Sequence, residues 1–142
     1  MVAYNFQPQF EGDLVAGRKT STIRPKGKRR HAQPGELVQI YVGQRTPNCR
    51  KLVEAPCLAA KPIEIHENAV FVAGRHMAVP EYYDRLAEIE GFSSFGNLQA
   101  WFDRQNGLPA RGLVQITWDF AAKVDFSNIA GEAREVAVEG GR

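Results

Sequence analysis

Residues 36–42 limit the possible folds more than any other run in this chain. Leu37, Val38, Ile40, Tyr41 and Val42 place apolar side chains on both faces of one short segment. That is the pattern of a strand inside a closed or covered sheet, not of one with a wet face. Such a strand needs neighbours, and other short runs supply them. Tyr4 and Phe6 alternate with polar residues and predict a first strand. Residues 21–24 read as extended, because Pro25 pushes the residue before it out of the helical region. Residues 51–60, 62–65 and 70–72 predict three more strands, with Pro56 and Pro62 confining the first two to edges or bulges. Residues 113–120 predict a strong closing strand built on Leu113, Val114, Ile116 and Trp118.

Three helices interrupt this pattern. Residues 8–16 carry Phe10, Leu14 and Val15 on one face, and Gly17 follows where a helix would be capped. Residues 80–90 set Tyr82, Leu86 and Ile89 on one face, with Gly91 ending the helix and Phe92 able to pack back. Residues 97–106 bury Leu98, Trp101 and Phe102 before Gly107. Short strands with helices inserted before the last one predict an α+β fold, a small mixed barrel with helices packed at its ends. At 142 residues the chain is expected to form one domain. Residues 1–120 would be its body, and residues 121–142 a C-terminal extension packed peripherally through Val124, Phe126 and Ile129.

The net charge of +2 says little about partners, but its distribution says more. Seven of the 18 Lys and Arg side chains lie between positions 18 and 30: Arg18, Lys19, Arg24, Lys26, Lys28, Arg29 and Arg30. A patch of this kind attracts phosphates. Cys49 and Cys57 match no zinc or redox spacing and read as reduced thiols. The N-terminus lacks the charge-then-apolar pattern of a signal peptide. No apolar run approaches the roughly 20 residues that cross a bilayer. A cytoplasmic, monomeric protein with no membrane contact is the expectation.

The run Gly17-Arg18-Lys19-Thr20-Ser21-Thr22-Ile23-Arg24-Pro25 is the first place to look for chemistry. His31, His66 and His76 have no metal-ligand spacing, and neither GxxxxGK[ST] nor GxGxxG occurs, so metal and phosphate-loop readings fail. A threonine hydroxyl becomes a nucleophile only when a base takes its proton, and a lysine can be that base only with a lowered pKa. Burial and the charges of Arg18 and Arg24 would lower that of Lys19. Lys19 and Thr22 would fall on opposite faces of an ideal strand, so they converge only if the chain turns between them. From spacing alone the run reads more readily as a solvated basic loop leading into a strand. Glu90 ends a helix, where the dipole disfavours a carboxylate. It needs a compensating cation such as Lys19, or it is simply exposed.

The run at 17–24 resembles the G-x-K-T-x-T-x-R signature of ASCH domains. Gly35-Glu36-Leu37-Val38-Gln39-Ile40-Tyr41 is similar to the barrel strand of that family. Glu90-Gly91-Phe92, Trp101-Phe102 and Gly107 resemble its helical insertion, and residues 114–118 its closing strand. The resemblance covers residues 4–120 and implies a PUA-like β-barrel. Small members of the family are N4-acetylcytidine amidohydrolases, whose catalytic lysine, threonine and glutamate match Lys19, Thr22 and Glu90. Arg24, Thr20 and Tyr41 are the expected substrate-binding residues. The implied reaction hydrolyses the amide of an N4-acylated cytosine nucleoside without metal or cofactor. Family members also bind or cleave RNA, so the rival expectation is an RNA-binding module acting through the basic loop Lys26 to Arg30.

Overall fold

The computed structural model describes residues 1–126; the expected packing of Ile129 in the extension therefore lies outside the described residues. The described residues are α+β, with eight strands in one sheet and three helices among them. In order these are β1 (Val2–Phe6), α1 (Glu11–Ala16), β2 (Ser21–Pro25), β3 (Leu37–Val42), β4 (Arg50–His66), β5 (Ala69–Val72), β6 (Arg75–His76), α2 (Pro80–Glu90), α3 (Phe95–Asn106), β7 (Ala110–Trp118) and β8 (Val124–Asp125). Short 3-10 turns precede α1 and β8.

The sheet is organised around β4, which changes partners along its length. Its first part pairs antiparallel with β3 and with β8, and its second part with β7 and β5. The separate strands expected at 51–60 and 62–65 are thus one. Pro56 and Pro62 are tolerated for a physical reason. Pro56 is the last β4 partner of β3, and Cys57 is the first partner of β7, so the missing N–H of Pro56 falls at the handover. Pro62 keeps its carbonyl in use, accepting from Ala73 N at 2.9 Å. β1 pairs only with β3, in parallel, and β2 pairs only with β7. Among the described residues these pairings form a branched open path and do not close into a ring. β1 and β2 are left as edges, bridged by a 2.7 Å hydrogen bond from Arg24 Nη2 to Asn5 O.

Two apolar cores fill the molecule. Tyr4, Leu14, Ile40, Leu52 and Trp118 centre one of them; Ile63, Ile65, Leu86, Leu98 and Leu113 centre the other, under α2 and α3. Burying a side chain of this size contributes about 1.5–3 kcal/mol. Phe92 and Trp101 pack against both cores and mark their junction. The buried residues of α2 are Leu86, Ala87 and Glu90; Tyr82, expected on the same face as Leu86, is half-buried and packs against the second core, and Ile89 is half-buried. Beyond Phe120 the chain returns to the sheet, with Val124 and Asp125 paired to Glu54 and Val53. Cys49 and Cys57 are free thiols. No helix among the described residues is long and apolar enough to cross a membrane.

Candidate functional site

The site forms where α1 hands the chain to β2. Gly17 takes a left-handed conformation (φ +79°) and closes α1. The next two amides, Arg18 N and Lys19 N, both donate to Asp13 O at 3.0 Å. The chain turns here, which aims the Lys19 side chain inward instead of along a strand face. The next amide, Thr20 N, donates to Ile89 O at 3.0 Å and docks the turn against the end of α2.

Lys19 is buried, only 3% exposed. Its Nζ donates to Ser21 O at 2.8 Å and to Glu90 O at 2.6 Å. The second acceptor is a carbonyl at the C-terminus of α2, where helical partners run out and a cation is favoured. The Glu90 carboxylate stands 3.7 Å from Nζ through Oε1, close enough for an ion pair but too far for a hydrogen bond. Nζ also lies over the rings of Phe10 and Phe6, at 5.0 and 5.3 Å from their centroids. Burial lowers the Lys19 pKa from 10.5 to about 8; Glu90 opposes the shift and Arg24 reinforces it.

Gly91 makes this approach possible. It caps α2 at φ +87°, and a Cβ there would sit 2.8 Å from Lys19 Cδ and 2.9 Å from Phe10 Cδ1. Glu90 itself is 2% exposed, so the carboxylate is not a surface group. Its Oε2 accepts from Gln115 Nε2 at 3.1 Å.

Thr22 is 4% exposed, and its Oγ1 accepts from Arg24 Nε at 2.9 Å. An oxygen that accepts there keeps its own proton for another partner. The Arg24 guanidinium stacks over Phe6 and Tyr4 at 4.8 and 5.4 Å, and burial lowers its pKa.

Lys19, Thr22, Arg24 and Glu90 all line one cavity of about 280 Å³. Its walls are Phe6, Phe10, Phe92 and Trp101, and its rim carries the neutral amides of Asn5, Gln7, Gln105 and Asn106. Its size is near the lower end for small-molecule sites, roughly 300–1,000 Å³. Aromatic walls, convergent polar groups and one perturbed lysine suit chemistry on a small, flat ligand.

The structure thus brings together four of the six side chains singled out in the sequence. Thr20 and Tyr41 are not brought there. Thr20 is used through its backbone, and Tyr41 is buried on β3 opposite Asn5 and Lys51, away from the cavity wall. The rim amides of Asn5, Gln7, Gln105 and Asn106 were not foreseen, and neither were Phe6, Phe10 and Gln115. The aromatic box draws Phe6 and Phe10 from elements predicted only as structure, and Gln115 lies on β7. The one signal for Gln115 was a polar residue set between the apolar Val114 and Ile116.

The basic loop stands apart. None of Lys26, Lys28, Arg29 and Arg30 lines the cavity. Arg30 pairs with Glu36, and Arg29 stacks over Tyr4 at 4.6 Å. Among the described residues no cluster of His, Cys, Asp or Glu could hold a metal ion. No protein-family model, curated protein or solved structure matches this chain.

Proposed function

We propose that this protein is an amidohydrolase that cleaves the amide of N4-acylated cytosine nucleosides, with Lys19, Thr22 and Glu90 as its catalytic residues. The observation that carries the reading is the placement of a buried lysine, its pKa lowered to about 8, in one aromatic cavity with a threonine hydroxyl and a buried carboxylate. The motifs at 17–24, 35–41 and 90–107 support the substrate class. On this reading the partner-switching β4, and the Arg24–Asn5 bridge between the edges of β1 and β2, correspond to a PUA-like barrel.

The chemistry follows from the hydrogen bonds. An ammonium has three N–H donors, and two of those on Lys19 are held by Ser21 O and Glu90 O. When the proton is lost, both carbonyls keep their donors, so the lone pair takes the third direction. Ser21 is the residue before Thr22, so Nζ already sits beside the Thr22 backbone. The lone pair takes the Thr22 hydroxyl proton as Oγ1 bonds to the acyl carbon. Arg24 stabilises the negative charge that develops on the acyl oxygen. With substrate bound, Nζ and the Glu90 carboxylate close from 3.7 Å to hydrogen-bond distance, and the proton passes from Lys19 to Glu90 and on to N4 of cytosine as the C–N bond breaks. Water then attacks the Thr22 ester, releasing the carboxylic acid and restoring the hydroxyl. The neutral rim amides suit an uncharged nucleoside.

The test is incubation of the EDTA-treated protein with N4-acetylcytidine, following cytidine release by chromatography. Turnover by wild type, with Lys19→Ala and Thr22→Ala both near background, is the expected result. An inert wild type, or variants as fast as wild type, would remove the proposal.

A further inference from the structure

Glu90 has an unusual task on this reading. It must be a carboxylate when Lys19 gives up its proton and a carboxylic acid a moment later. It does so while buried, at the negative end of a helix dipole. A group that changes protonation state there needs a partner able to serve both states. Backbone carbonyls serve only the acid, and a cation serves only the anion.

Gln115 is the one side chain that donates a hydrogen bond to the Glu90 carboxylate among the described residues, from Nε2 to Oε2 at 3.1 Å. A primary amide carries a donor and an acceptor on the same fork. With its NH₂ toward Glu90 it stabilises the carboxylate; turned over, its oxygen accepts from the carboxylic acid. Its position is also fixed against the nucleophile. Gln115 pairs with Ile23 in the β2–β7 ladder, and the adjacent pair is Thr22 with Ile116. The ladder therefore holds Thr22 and Gln115 as one body, while Glu90 arrives from α2. Gln115 does not line the cavity, so it acts through Glu90 and not on the ligand.

We infer that Gln115 is the positioning residue for Glu90, registering the α2 carboxylate against the Thr22 strand and serving it in both protonation states by an amide flip. The catalytic part of this inference rests on the amidohydrolase reading; the effect on Glu90 does not. The other titratable or charged groups around Glu90 are Lys19 from the turn before β2, Arg24 on β2 and Tyr82 on α2, with Asp13 of α1 acting on Lys19. The Tyr82 hydroxyl, pushed up to about 12 first by burial and then by Glu90, stays protonated over the working range.

The experiment compares Gln115→Leu and Gln115→Glu with wild type by two readouts. In turnover of N4-acetylcytidine, Gln115→Leu should lower kcat about tenfold or more, the size of a lost hydrogen bond to a charged group, with KM within twofold. In a carbon-13 NMR titration of the Glu90 carboxyl, which needs no activity, the same variant should titrate at higher pH than wild type. Gln115→Glu sets a second carboxylate beside the first and should move the titration up further. It also supplies the answer if the leucine variant fails to fold. An unmoved Glu90 titration in a folded variant overturns the inference, as does a rise in KM with kcat unchanged. A moved titration in a protein inert toward N4-acetylcytidine upholds the positioning of Glu90 and removes the substrate reading alone.

Discussion

Tyr4 and Phe6 lie on the same face of β1, and each borders a buried polar cluster. Around Tyr4 the cluster is closed. The His31 Nε2 contact to Pro25 O, at 2.8 Å, must be a donation, because a carbonyl can only accept. In the neutral ring Nδ1 then accepts from Tyr4 Oη at 2.9 Å, and Tyr4 Oη in turn accepts from Ala32 N at 3.2 Å. Every donor of the cluster has its acceptor within it. Around Phe6 the cluster is open. Lys19 spends two donors on carbonyls, the Glu90 carboxylate stands just beyond bonding distance, and Thr22 keeps its proton, all at the wall of a cavity. Both clusters fix loops to the same strand. A buried polar network that is satisfied from within holds a chain in place; one left short of partners beside a cavity is available to a substrate.

The largest expected effect breaks the open cluster. Lys19→Met should reduce kcat/KM on N4-acetylcytidine by about 10²–10⁴-fold, the typical worth of a positioned base. It should also cost stability, about 3–5 kcal/mol by denaturant titration, because Glu90 is left buried without its cation. The pH dependence has a definite sign. Wild-type kcat/KM should rise tenfold per pH unit up to about 8 and then level, as Lys19 loses its proton. Between about 8 and 10.5 the unfolded chain holds that proton while the folded chain does not. The Lys19 contribution to stability therefore increases with pH across that window. The difference in unfolding free energy between wild type and Lys19→Met, followed from pH 7 to 10.5, should grow in favour of wild type. A constant difference would mean that Lys19 is not perturbed.

Next in size is Gly91→Ala. Its added Cβ meets the Lys19 stem at 2.8 Å and Phe10 at 2.9 Å, at a left-handed φ of +87° that alanine adopts only with strain. The lysine stem cannot swing clear, because Nζ is tied at its far end to two carbonyls. Turnover should fall about tenfold or more, and stability should fall by more than about 1 kcal/mol. Activity intact in this variant would show that the placement of Lys19 is not critical.

The closed cluster should respond the other way. Tyr4→Phe keeps the ring under Arg24 and Arg29 but strands Ala32 N and His31 Nδ1 without their partner. Stability should drop by about 1–3 kcal/mol in a denaturant titration, with turnover per folded molecule within twofold of wild type. Equal losses in both measurements would erase the distinction between the two clusters.

Parts of this arrangement were legible in the residues, and the rest were not, for physical reasons. Local signals placed most elements: the periodicity at 80–90, the glycine caps at Gly17 and Gly91, and the two-faced strand around Ile40. They could not show that residues 50–66 form one strand, because Pro56 looks like a terminator until its position at a change of partner is known. Lys19 and Glu90 were recognisable as candidates because a carboxylate at a helix end calls for a cation. Their burial was not, since it depends on Phe6 and Phe10 closing over them from other elements. Nor was the absence of Tyr41 from the cavity lining, because both faces of β3 are apolar and the sequence does not say which one turns toward the site. Gln115 gave least away: its partner is a side chain 25 residues distant, on a different element.

The smallest effect should come from the basic loop, and that makes it the most discriminating control. Lys26 and Lys28 are exposed and lie outside the cavity lining, and their side chains have no partner among the described residues. Arg29 and Arg30 are already engaged with Tyr4 and Glu36. The double variant Lys26→Glu/Lys28→Glu should therefore hydrolyse N4-acetylcytidine within twofold of wild type at both low and high salt, because an uncharged nucleoside has no phosphate for either lysine to hold. An RNA-binding role makes the opposite demand. Affinity for a single-stranded oligonucleotide, measured by fluorescence anisotropy, would fall with salt at a logarithmic slope near −0.7 per phosphate contact, and the double variant would flatten that slope by about 1.4. If nucleoside turnover collapses with the loop charges, the cavity and the loop are one site, and the division drawn between the open cluster and its basic neighbour is wrong.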